Sequence, residues 1–294
     1  MATMNGKIVL ITGATNGLGE VTAREIAKMG ATVVIVGRNP EKTAHVAADI
    51  KTATGNDKVD TIIGDLSIMD GVRHVAQSFR DRYDELHILV NNAGALFTDR
   101  QITADGYEKT FALNHLNYFL LTHLLLDTLK ATGTPDEKAR IVNVSSDAHQ
   151  MASIDWDDLQ NSKSYGTGMA AYGESKLENI LFTYELARRL DAEGANVTAN
   201  ALHPGLVSTG FGRNNGFLSK LFMNLLKPFA LNADQGAETQ IYLATSPEVE
   251  GVTGTYFAKS KPATSNEASH KQADWERLWT ISEELTGLKT GEPV

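Results

Sequence analysis

The hydrophobic positions of the chain fall into short continuous runs that alternate with longer segments of helical period. Short runs rich in Val and Ile and bounded by Gly, Asn, Asp or Pro predict strands at 7–11, 32–36, 59–63, 87–90, 140–144 and 197–202. Apolar residues spaced three and four apart predict helices at 18–29, 40–53, 68–83, 106–130 and 170–192. A further strand is expected at 255–257 and a tail helix at 268–285.

Strands that are apolar throughout and separated by helices indicate a parallel sheet covered on both faces. The order of elements therefore predicts an α/β fold, a single doubly wound (Rossmann-type) domain over residues 1–294 with a central parallel sheet of about seven strands. We expect a cofactor half at about 1–145, a catalytic and substrate half at about 146–260, and a C-terminal tail helix within 261–294. Ligands of such folds bind beyond the carboxyl ends of the strands.

Composition and charge narrow the classes of function. The 294 residues carry 36 acidic and 27 basic side chains, and the net charge of −9 opposes general binding to nucleic acid or anionic membranes. The chain has no cysteine, and its eight histidines form no His-x-x-x-His pair, so we predict no metal site. We find neither a signal peptide nor an apolar run of the ~20 residues that span a bilayer. A soluble, cytoplasmic protein is the expectation.

A glycine-rich turn follows the first predicted strand. Its sequence is Thr12-Gly13-Ala14-Thr15-Asn16-Gly17-Leu18-Gly19. Glycines let the backbone turn sharply and approach a pyrophosphate, whose charge the amides and dipole of the next helix stabilise. A turn that only connects a strand to a helix is the alternative, but the position after the first strand favours a dinucleotide. The cofactor contacts expected here are Gly13, Thr15, Asn16, Gly17, Leu18 and Gly19.

The end of the second predicted strand indicates which dinucleotide binds. Sites specific for NAD usually place a carboxylate there, whereas an arginine suits a 2′-phosphate. In this chain Gly37 leaves room and Arg38 supplies a planar charged fork. The alternative is a solvated surface arginine before a helix that begins at Pro40. We predict NADP(H) rather than NAD(H).

Residues after the third and fourth strands extend the predicted cofactor site. Asp65, followed by Leu66, can accept a hydrogen bond from the adenine amino group or cap the next helix, and the sequence leaves both roles open. Small residues and amides after the fourth strand suit a backbone that passes beneath a cofactor, with an ordinary Asn/Gly turn as the alternative. The contacts expected from this part of the chain are Asp65, Leu66, Asn91, Ala93 and Gly94.

Four polar residues predict acid/base chemistry. Tyr172 and Lys176 share one helix face, and an ammonium beside a phenol lowers the phenol pKa from about 10 toward working pH. Ser146 follows the fifth strand, where its hydroxyl can donate to a substrate oxygen or cap a turn. Asn114 lies inside an apolar helix that an asparagine disfavours, so we expect it to make a specific hydrogen bond, structural or catalytic.

Together these motifs resemble the short-chain dehydrogenase/reductase family over nearly the whole chain. The matching pieces are Thr12-Gly13-x-x-x-Gly17-x-Gly19, Asp65, Asn91-Asn92-Ala93-Gly94, Asn114, Ser146, Tyr172-x-x-x-Lys176 and Pro204-Gly205. The resemblance implies a catalytic tetrad of Asn114, Ser146, Tyr172 and Lys176. It also implies that Lys176 holds the nicotinamide ribose and that Asn114 holds a water in a proton relay. The further cofactor contacts that it implies are Pro204, Gly205, Val207 and Thr209.

Other stretches resemble the retinol dehydrogenase branch of that family. They are His203-Pro204-Gly205-x-Val207-x-Thr209, residues 181–187, Leu278-Trp279 and the interval of 26 residues from Ser146 to Tyr172. Membrane members of the branch commonly carry an amino-terminal anchor, and this sequence departs from them there. The resemblance leaves a homo-oligomer open.

A locally basic, amphipathic segment at 213–229 bears on the substrate. Its apolar residues recur at helical spacing, and we interpret it as a lid over the protein's own pocket; a weak membrane-surface or partner contact is the alternative. The predicted function is an NADP(H)-dependent carbonyl reductase or alcohol dehydrogenase that interconverts an apolar ketone or aldehyde and its alcohol, with Tyr172 as acid/base. A catalytically idle dinucleotide-sensing or interaction protein on the same fold is the alternative.

Overall fold

One mixed sheet organises the protein, of which the computed structural model describes residues 3–205 and 232–288. The strands are β1 (Ile8–Thr12), β2 (Thr32–Gly37), β3 (Val59–Ile63), β4 (Ile88–Asn91), β5 (Ala139–Val144), β6 (Val197–His203), β7 (Tyr256–Ala258) and β8 (Lys261–Pro262). Their order is β3-β2-β1-β4-β5-β6-β7-β8, and only β8 pairs antiparallel among them. The order reverses between β1 and β4, which places the ligand crevice of a doubly wound fold at their carboxyl ends.

Helices cover both faces of the sheet. They are α1 (Gly17–Lys28), α2 (Pro40–Thr54), α3 (Met69–Arg80), α4 (Lys109–Phe111), α5 (Asn117–Thr132), α6 (Met169–Ala192), α7 (Ala233–Thr245) and α8 (Gln272–Thr286). Successive residues of a strand point to opposite faces, so Leu10 packs with α3 and α5 while Val9 and Ile11 pack with α1. Both faces of the strand are apolar because both are buried, which is the pattern of a covered parallel sheet.

The predicted α/β fold with a doubly wound parallel sheet is confirmed, and the predicted strands lie within about one residue of the observed ones. The short antiparallel β8 and the helix α7 are additions that the sequence did not predict. The buried positions of α7 include Gly236, Thr239 and Gln240, which obscure the apolar period in the sequence, and a capping box between Asn232 and Gln235 fixes its start.

The single helix predicted at 106–130 is wrong in one respect. The structure has α4, then a π-helical turn at Ala112–Leu116, then α5. Insertion of a wider turn into an α-helix is frequent at functional sites, and this turn contains Asn114. Side-chain bonds of Asn114 to a distant segment, described below, account for the interruption.

The tail helix predicted at 268–285 consists of a 3-10 turn at Glu267–His270 followed by α8. It packs against α6 and buries Trp279, which is 1% exposed, among aromatic side chains of α5 and α6. Within residues 3–205 and 232–288, no helix combines the length and apolar character needed to cross a bilayer.

Candidate active site

The turn after β1 brings backbone against backbone at two glycines. A Cβ on Gly13 would lie 2.8 Å from Ala93 Cα, and a Cβ on Gly19 would lie 2.6 Å from Asn92 Nδ2. Gly13 also has a φ of +64°, which other residues rarely adopt. No side chain therefore fits at either position without a shift of the backbone around it.

The first turn of α1 points into the crevice between β1 and β4. Asn16 precedes the helix with an extended backbone, and its side chain makes no capping hydrogen bond. The amides of the first helical turn have no partner within the helix, so they can receive an anion, and the helix dipole favours negative charge there. Leu18 lies in this same turn. The predicted glycine motif thus has the geometry of a phosphate cradle.

Thr12 and Asn92 join the ends of β1 and β4. Thr12 Oγ1 accepts hydrogen bonds from the backbone N–H groups of Asn92 at 2.9 Å and Ala93 at 3.0 Å. The Asn92 side chain donates to the Thr12 carbonyl at 2.8 Å. These bonds hold Ala93-Gly94 beside the glycine turn. The sequence motif contains Thr12 but does not indicate this role of its hydroxyl.

The side chain of Asn91 is buried and hydrogen-bonded in the interior of the protein. Its Nδ2 donates to Asn143 Oδ1 at 2.9 Å and to Thr122 Oγ1 at 3.0 Å, and Asn91 is fully buried. Asn143 in turn donates to Thr183 Oγ1 on α6 at 2.9 Å. This ladder ties β4, β5, α5 and α6 together, so any contact of Asn91 with a cofactor would come from its backbone.

Gly37 and Arg38 lie at the carboxyl end of β2, as predicted. A Cβ on Gly37 would lie 2.2 Å from Thr43 Oγ1 and 2.5 Å from Thr15 Cγ2. A carboxylate therefore does not fit at position 37 without displacing Thr15 or Thr43. Arg38 is exposed, and its Nη1 lies 3.6 Å from Asp65 Oδ2. An exposed guanidinium, paired with Asp65, thus lies where the 2′ position of a bound ribose is expected.

Asp65 forms a local turn with Ser67. Its Oδ1 accepts from the backbone N–H of Ser67 at 3.0 Å and from the Ser67 hydroxyl at 2.7 Å. Burial raises the pKa of Asp65, but the bonds from Ser67 and the charge of Arg38 outweigh burial and hold the pKa below its ordinary value. The first N–H of α3, at Met69, is received by Asp105 instead. Asp65 therefore does not cap that N–H, while Leu66 is buried beside it.

Asn114 is fixed by three hydrogen bonds across the site. Its Oδ1 accepts from the backbone N–H of Ala95 at 2.9 Å, and its Nδ2 donates to the Ala95 carbonyl at 3.0 Å and to Ser175 Oγ at 2.9 Å. Ser175 Oγ then donates to the Tyr172 carbonyl at 2.8 Å. The specific bond predicted for Asn114 is present, and Ser175, inside the Tyr-x-x-x-Lys motif, is a supporting residue that the sequence did not indicate.

Tyr172, Ser146 and Lys176 meet at the carboxyl ends of β4 and β5. The hydroxyls of Tyr172 and Ser146 are hydrogen-bonded, and Ser146 Oγ also accepts from the N–H of Ala148 at 3.2 Å. Lys176 Nζ donates to the Val144 carbonyl at 3.0 Å and lies 5.6 Å from the centre of the Tyr172 ring. The structure therefore brings the predicted serine, tyrosine and lysine into one cluster.

Gly94 completes this cluster. A Cβ at that position would lie 3.1 Å from Asn114 Oδ1 and 3.3 Å from Lys176 Nζ. The absence of a side chain at Gly94 lets this segment pack directly against the asparagine amide and the lysine amine, both of which are buried. Gly94 follows Ala93, which packs against Gly13, so the catalytic cluster adjoins the glycine turn.

Burial sets the proton affinities of the cluster. It lowers the pKa of Lys176 to about 7. It raises the pKa of Tyr172 to about 12, although the hydrogen bond from Ser146 acts in the opposite direction. The expected lowering of the tyrosine pKa by the lysine is therefore not what the protein alone produces, because Lys176 has lost its proton at the pH where Tyr172 ionises.

The remaining predicted residues fall at the end of β6 and beyond. Pro204 and Gly205 follow this strand, and Gly205 has a φ of +90°. Val207, Thr209 and the segment 213–229 lie outside the described residues. In the parts of the chain that the structure does describe, no group of three or more His, Asp or Glu side chains is arranged to hold a metal ion.

Comparison with known proteins shows which family the chain resembles. Residues 7–216 match the family model described as short chain dehydrogenase. The chain is 42% identical over 283 residues to the Homo sapiens protein named polyprenol dehydrogenase, and the match covers 96% of this chain and 86% of that protein. It is also 42% identical over 284 residues to retinol dehydrogenase 12 of Mus musculus, with 97% and 87% covered.

Solved structures show the same architecture. An uncharacterized protein from Mycobacterium paratuberculosis superposes with a TM-score of 0.78 at 31% identity, covering 98% of this chain and 96% of that one. The Pseudomonas aeruginosa RhlG/NADP active-site complex superposes with a TM-score of 0.70 at 27% identity, covering 87% and 95%. The first of these similarities covers nearly the whole chain.

Proposed function

The chain belongs to the short-chain dehydrogenase/reductase family, in its retinol dehydrogenase-like branch, and from this premise we propose that it is an NADP(H)-dependent enzyme that interconverts an apolar ketone or aldehyde and its alcohol. The observation that carries the proposal is the hydrogen-bonded pair of Tyr172 and Ser146, with Lys176 and Asn114 behind it. Groups whose pKa values are shifted by burial cluster at functional sites, so the buried phenol and amine at the ligand crevice favour catalysis over binding alone.

The described residues fit a dinucleotide. Backbone contacts that exclude a Cβ at Gly13 and Gly19 leave a cradle for the pyrophosphate at the start of α1. Arg38 would hold the 2′-phosphate, and Lys176, reached past Gly94, would hold the nicotinamide ribose. When bound, the cofactor supplies or receives the hydride, and every proton is moved by the protein.

Tyr172 supplies the proton in the reduction. As the carbonyl carbon gains a hydride, its oxygen becomes negative and takes the phenolic proton, which forms the new O–H bond of the alcohol. Ser146 donates a hydrogen bond to the same oxygen and stabilises its charge. The phenolate that remains is reprotonated from the side of Lys176 and Asn114. Oxidation of an alcohol runs through the same groups in reverse.

Exposed apolar side chains close in sequence to the catalytic residues support an apolar substrate. Met151 and Met169 are 92% and 51% exposed, and they follow Ser146 and precede Tyr172 by only a few residues. The names of the related polyprenol and retinol dehydrogenases also refer to apolar alcohols. The direct test is a kinetic panel of aliphatic aldehydes, ketones, retinal and a polyprenal with NADPH and NADH. Binding of NADPH without turnover of any of these would favour the idle sensor instead.

We predict that Arg38→Ala raises the KM for NADPH by about 10- to 100-fold, the value of one or two charge-assisted hydrogen bonds to a phosphate. The KM for NADH should change less than twofold, because NADH has no 2′-phosphate. Steady-state kinetics with both cofactors measures this difference. Arg277, on α8, is another exposed arginine, and its guanidinium lies 4.8 Å from the centre of the Trp156 ring. Arg277→Ala is the control for loss of a surface arginine, and equal effects of Arg38→Ala on both cofactors would contradict the NADP(H) assignment.

The two directions of the reaction should depend on pH in opposite ways. Reduction needs protonated Tyr172, which the raised pKa of about 12 provides at neutral pH, so its rate should stay level above neutrality until that pKa is approached. Oxidation needs the phenolate, and its kcat/KM should rise about tenfold per pH unit below the pKa. Ser146→Ala removes a bond that lowers the tyrosine pKa, so it should move the oxidation limb to higher pH. If the oxidation limb does not move, Ser146 does not lower the pKa of Tyr172.

A further inference from the structure

The residue that follows Ser146 is held from two neighbouring strands. Asp147 begins a 3-10 turn at Asp147–Met151, of which Ser146 is the N-cap. The ring of His203, the last residue of β6, receives the backbone N–H of Asp147 on Nδ1 at 3.1 Å, and its Nε2 lies 3.0 Å from Asp147 Oδ2. Tyr256 on β7 donates its hydroxyl to Asp147 Oδ1 at 3.1 Å. Asp147 is thus fixed through both its backbone and its carboxylate.

These partners determine the proton position on His203. A backbone N–H can only donate, so Nδ1 must carry a lone pair, and the proton of the neutral ring sits on Nε2 and is donated to the Asp147 carboxylate. In the protonated ring Nδ1 would carry a hydrogen that faces the Asp147 N–H. The backbone bond is then lost, and only the contact with the exposed carboxylate remains.

The surroundings favour the neutral ring. Burial lowers the pKa of His203, Asp147 acts in the opposite direction, and the nearby His149 and Lys259 lower it further, so that the pKa lies below the ordinary histidine value. Tyr256 faces the same carboxylate as a neutral phenol. The bond from the Asp147 N–H to Nδ1 is therefore present at neutral pH and is lost as the pH falls through the lowered pKa of His203, while Nε2 keeps its contact with the carboxylate.

The turn that His203 holds also orients the serine hydroxyl. Ser146 Oγ accepts from Ala148 N–H two residues on, so the position of the turn fixes which direction remains for the bond to Tyr172. On the other side, His149 lies against the Ser146 carbonyl and accepts the N–H of Asn266 at 3.1 Å. Loss of the bond to Nδ1 would free the backbone of Asp147 at the start of this turn.

From this geometry we infer that His203 is a positioning residue: by holding Asp147 through both ring nitrogens, it fixes the Ser146 hydroxyl toward Tyr172, and its bond to the Asp147 backbone opens in acid. The inference rests on the proposed function, because the orientation of Ser146 matters to a rate only if Ser146 stabilises a reacting oxygen. It assigns to His203 a role that neither its place beside Pro204-Gly205 nor its scattered position among the histidines indicates.

The test compares His203→Ala and His203→Asn with the wild-type chain in carbonyl reduction with NADPH. We expect His203→Ala to lower kcat about tenfold at pH 8, as a displaced catalytic group does, with the KM for NADPH within twofold. The amide oxygen of His203→Asn can accept the Asp147 N–H in place of Nδ1, so this variant should recover most of kcat. Because asparagine does not titrate, the fall in rate below pH 6.5 should also be weaker in it.

A double-mutant cycle shows whether His203 acts through Ser146. In the Ser146→Ala background, His203→Ala should cause no further loss of kcat, because the hydroxyl that it positions is gone. Additive losses would overturn the inference, and so would an acid limb that is unchanged in His203→Asn. His45→Asn, at an exposed position of α2, is the control for loss of a histidine and should keep the wild-type pH profile.

A readout that needs no turnover separates this inference from the proposed function. The ¹⁵N spectrum of the wild-type imidazole should show the Nε2–H tautomer of His203, and the Asp147 amide resonance should shift as that ring titrates. Turnover with the opposite tautomer would reject the positioning role alone. The expected tautomer in a protein that reduces none of the carbonyls would reject the proposed function and, with it, the catalytic consequence of the contact.

Discussion

Tyr172→Phe should lower kcat for carbonyl reduction by about a thousandfold, the loss expected when a positioned general acid is removed. The ring stays in place and only the hydroxyl that bonds Ser146 is lost. Since Tyr172 is 8% exposed and its ring packs beside Lys176, phenylalanine fills the same volume. The affinity for NADPH should change less than threefold, because the cradle at the start of α1 is untouched.

The matched control is Tyr184→Phe on the same helix. Tyr184 is also 8% exposed, and its hydroxyl is bonded to Ser265 Oγ at 2.8 Å, so the variant loses one buried hydroxyl outside the active site. It should keep kcat within twofold. Turnover is followed by NADPH absorbance and binding by NADPH fluorescence. If Tyr172→Phe retains more than a tenth of wild-type kcat, another group donates the proton and the assignment of Tyr172 is wrong.

The sequence predicts which residues form the active site but not their proton affinities. Spacing places Tyr172 and Lys176 on one helix face and Ser146 at a strand end, and the structure brings them together. Spacing cannot give the proton affinities, because the pKa of Lys176 near 7 follows from burial by segments that are distant in the chain. The predicted direction of the tyrosine shift failed for the same reason.

The fold, like the site, has some features that the local sequence determines and others that depend on contacts between distant residues. The strands were predictable since each is an apolar run that any neighbouring strand can pair with, as Val9 and Val33 do. The π-helical turn was not, because Asn114 interrupts the helix through bonds to Ala95 and Ser175, which lie 19 and 61 residues away. The contact of His203 with Asp147 likewise joins residues 56 apart.

The predicted tail helix, α8, docks on aromatic side chains of α5 and α6. The ring centre of Trp279 lies 5.1 Å from that of Phe119, 4.8 Å from that of His123 and 6.0 Å from that of Phe182. The guanidinium of Arg189 lies 4.2 Å from the same ring, and Trp279 Nε1 donates to Glu283 at 2.9 Å. The helix therefore completes the hydrophobic core on the α5–α6 side of the sheet.

Trp279→Ala should lower the free energy of unfolding by about 3–5 kcal/mol, the usual loss when a buried tryptophan becomes a cavity. Urea denaturation followed by far-UV circular dichroism measures it, and the midpoint should fall with little change in slope. Met151→Ala removes an apolar side chain that is 92% exposed and should cost less than about 0.5 kcal/mol. Trp279→Phe keeps most of the ring contacts and should lie between the two.

Trp279→Ala should also affect the active site, at temperatures below its unfolding transition. His115, the neighbour of Asn114 in the π-helical turn, shares a hydrogen bond of 2.9 Å with Ser282 of α8. When α8 loosens, the turn loses this support, and the amide of Asn114 is no longer held at a fixed angle to Ser175. We therefore expect kcat of Trp279→Ala to fall severalfold at temperatures where the variant is still folded, since small displacements of catalytic groups are costly. Unchanged kcat in a variant destabilised by 3–5 kcal/mol would show that α8 stabilises the fold without supporting Asn114.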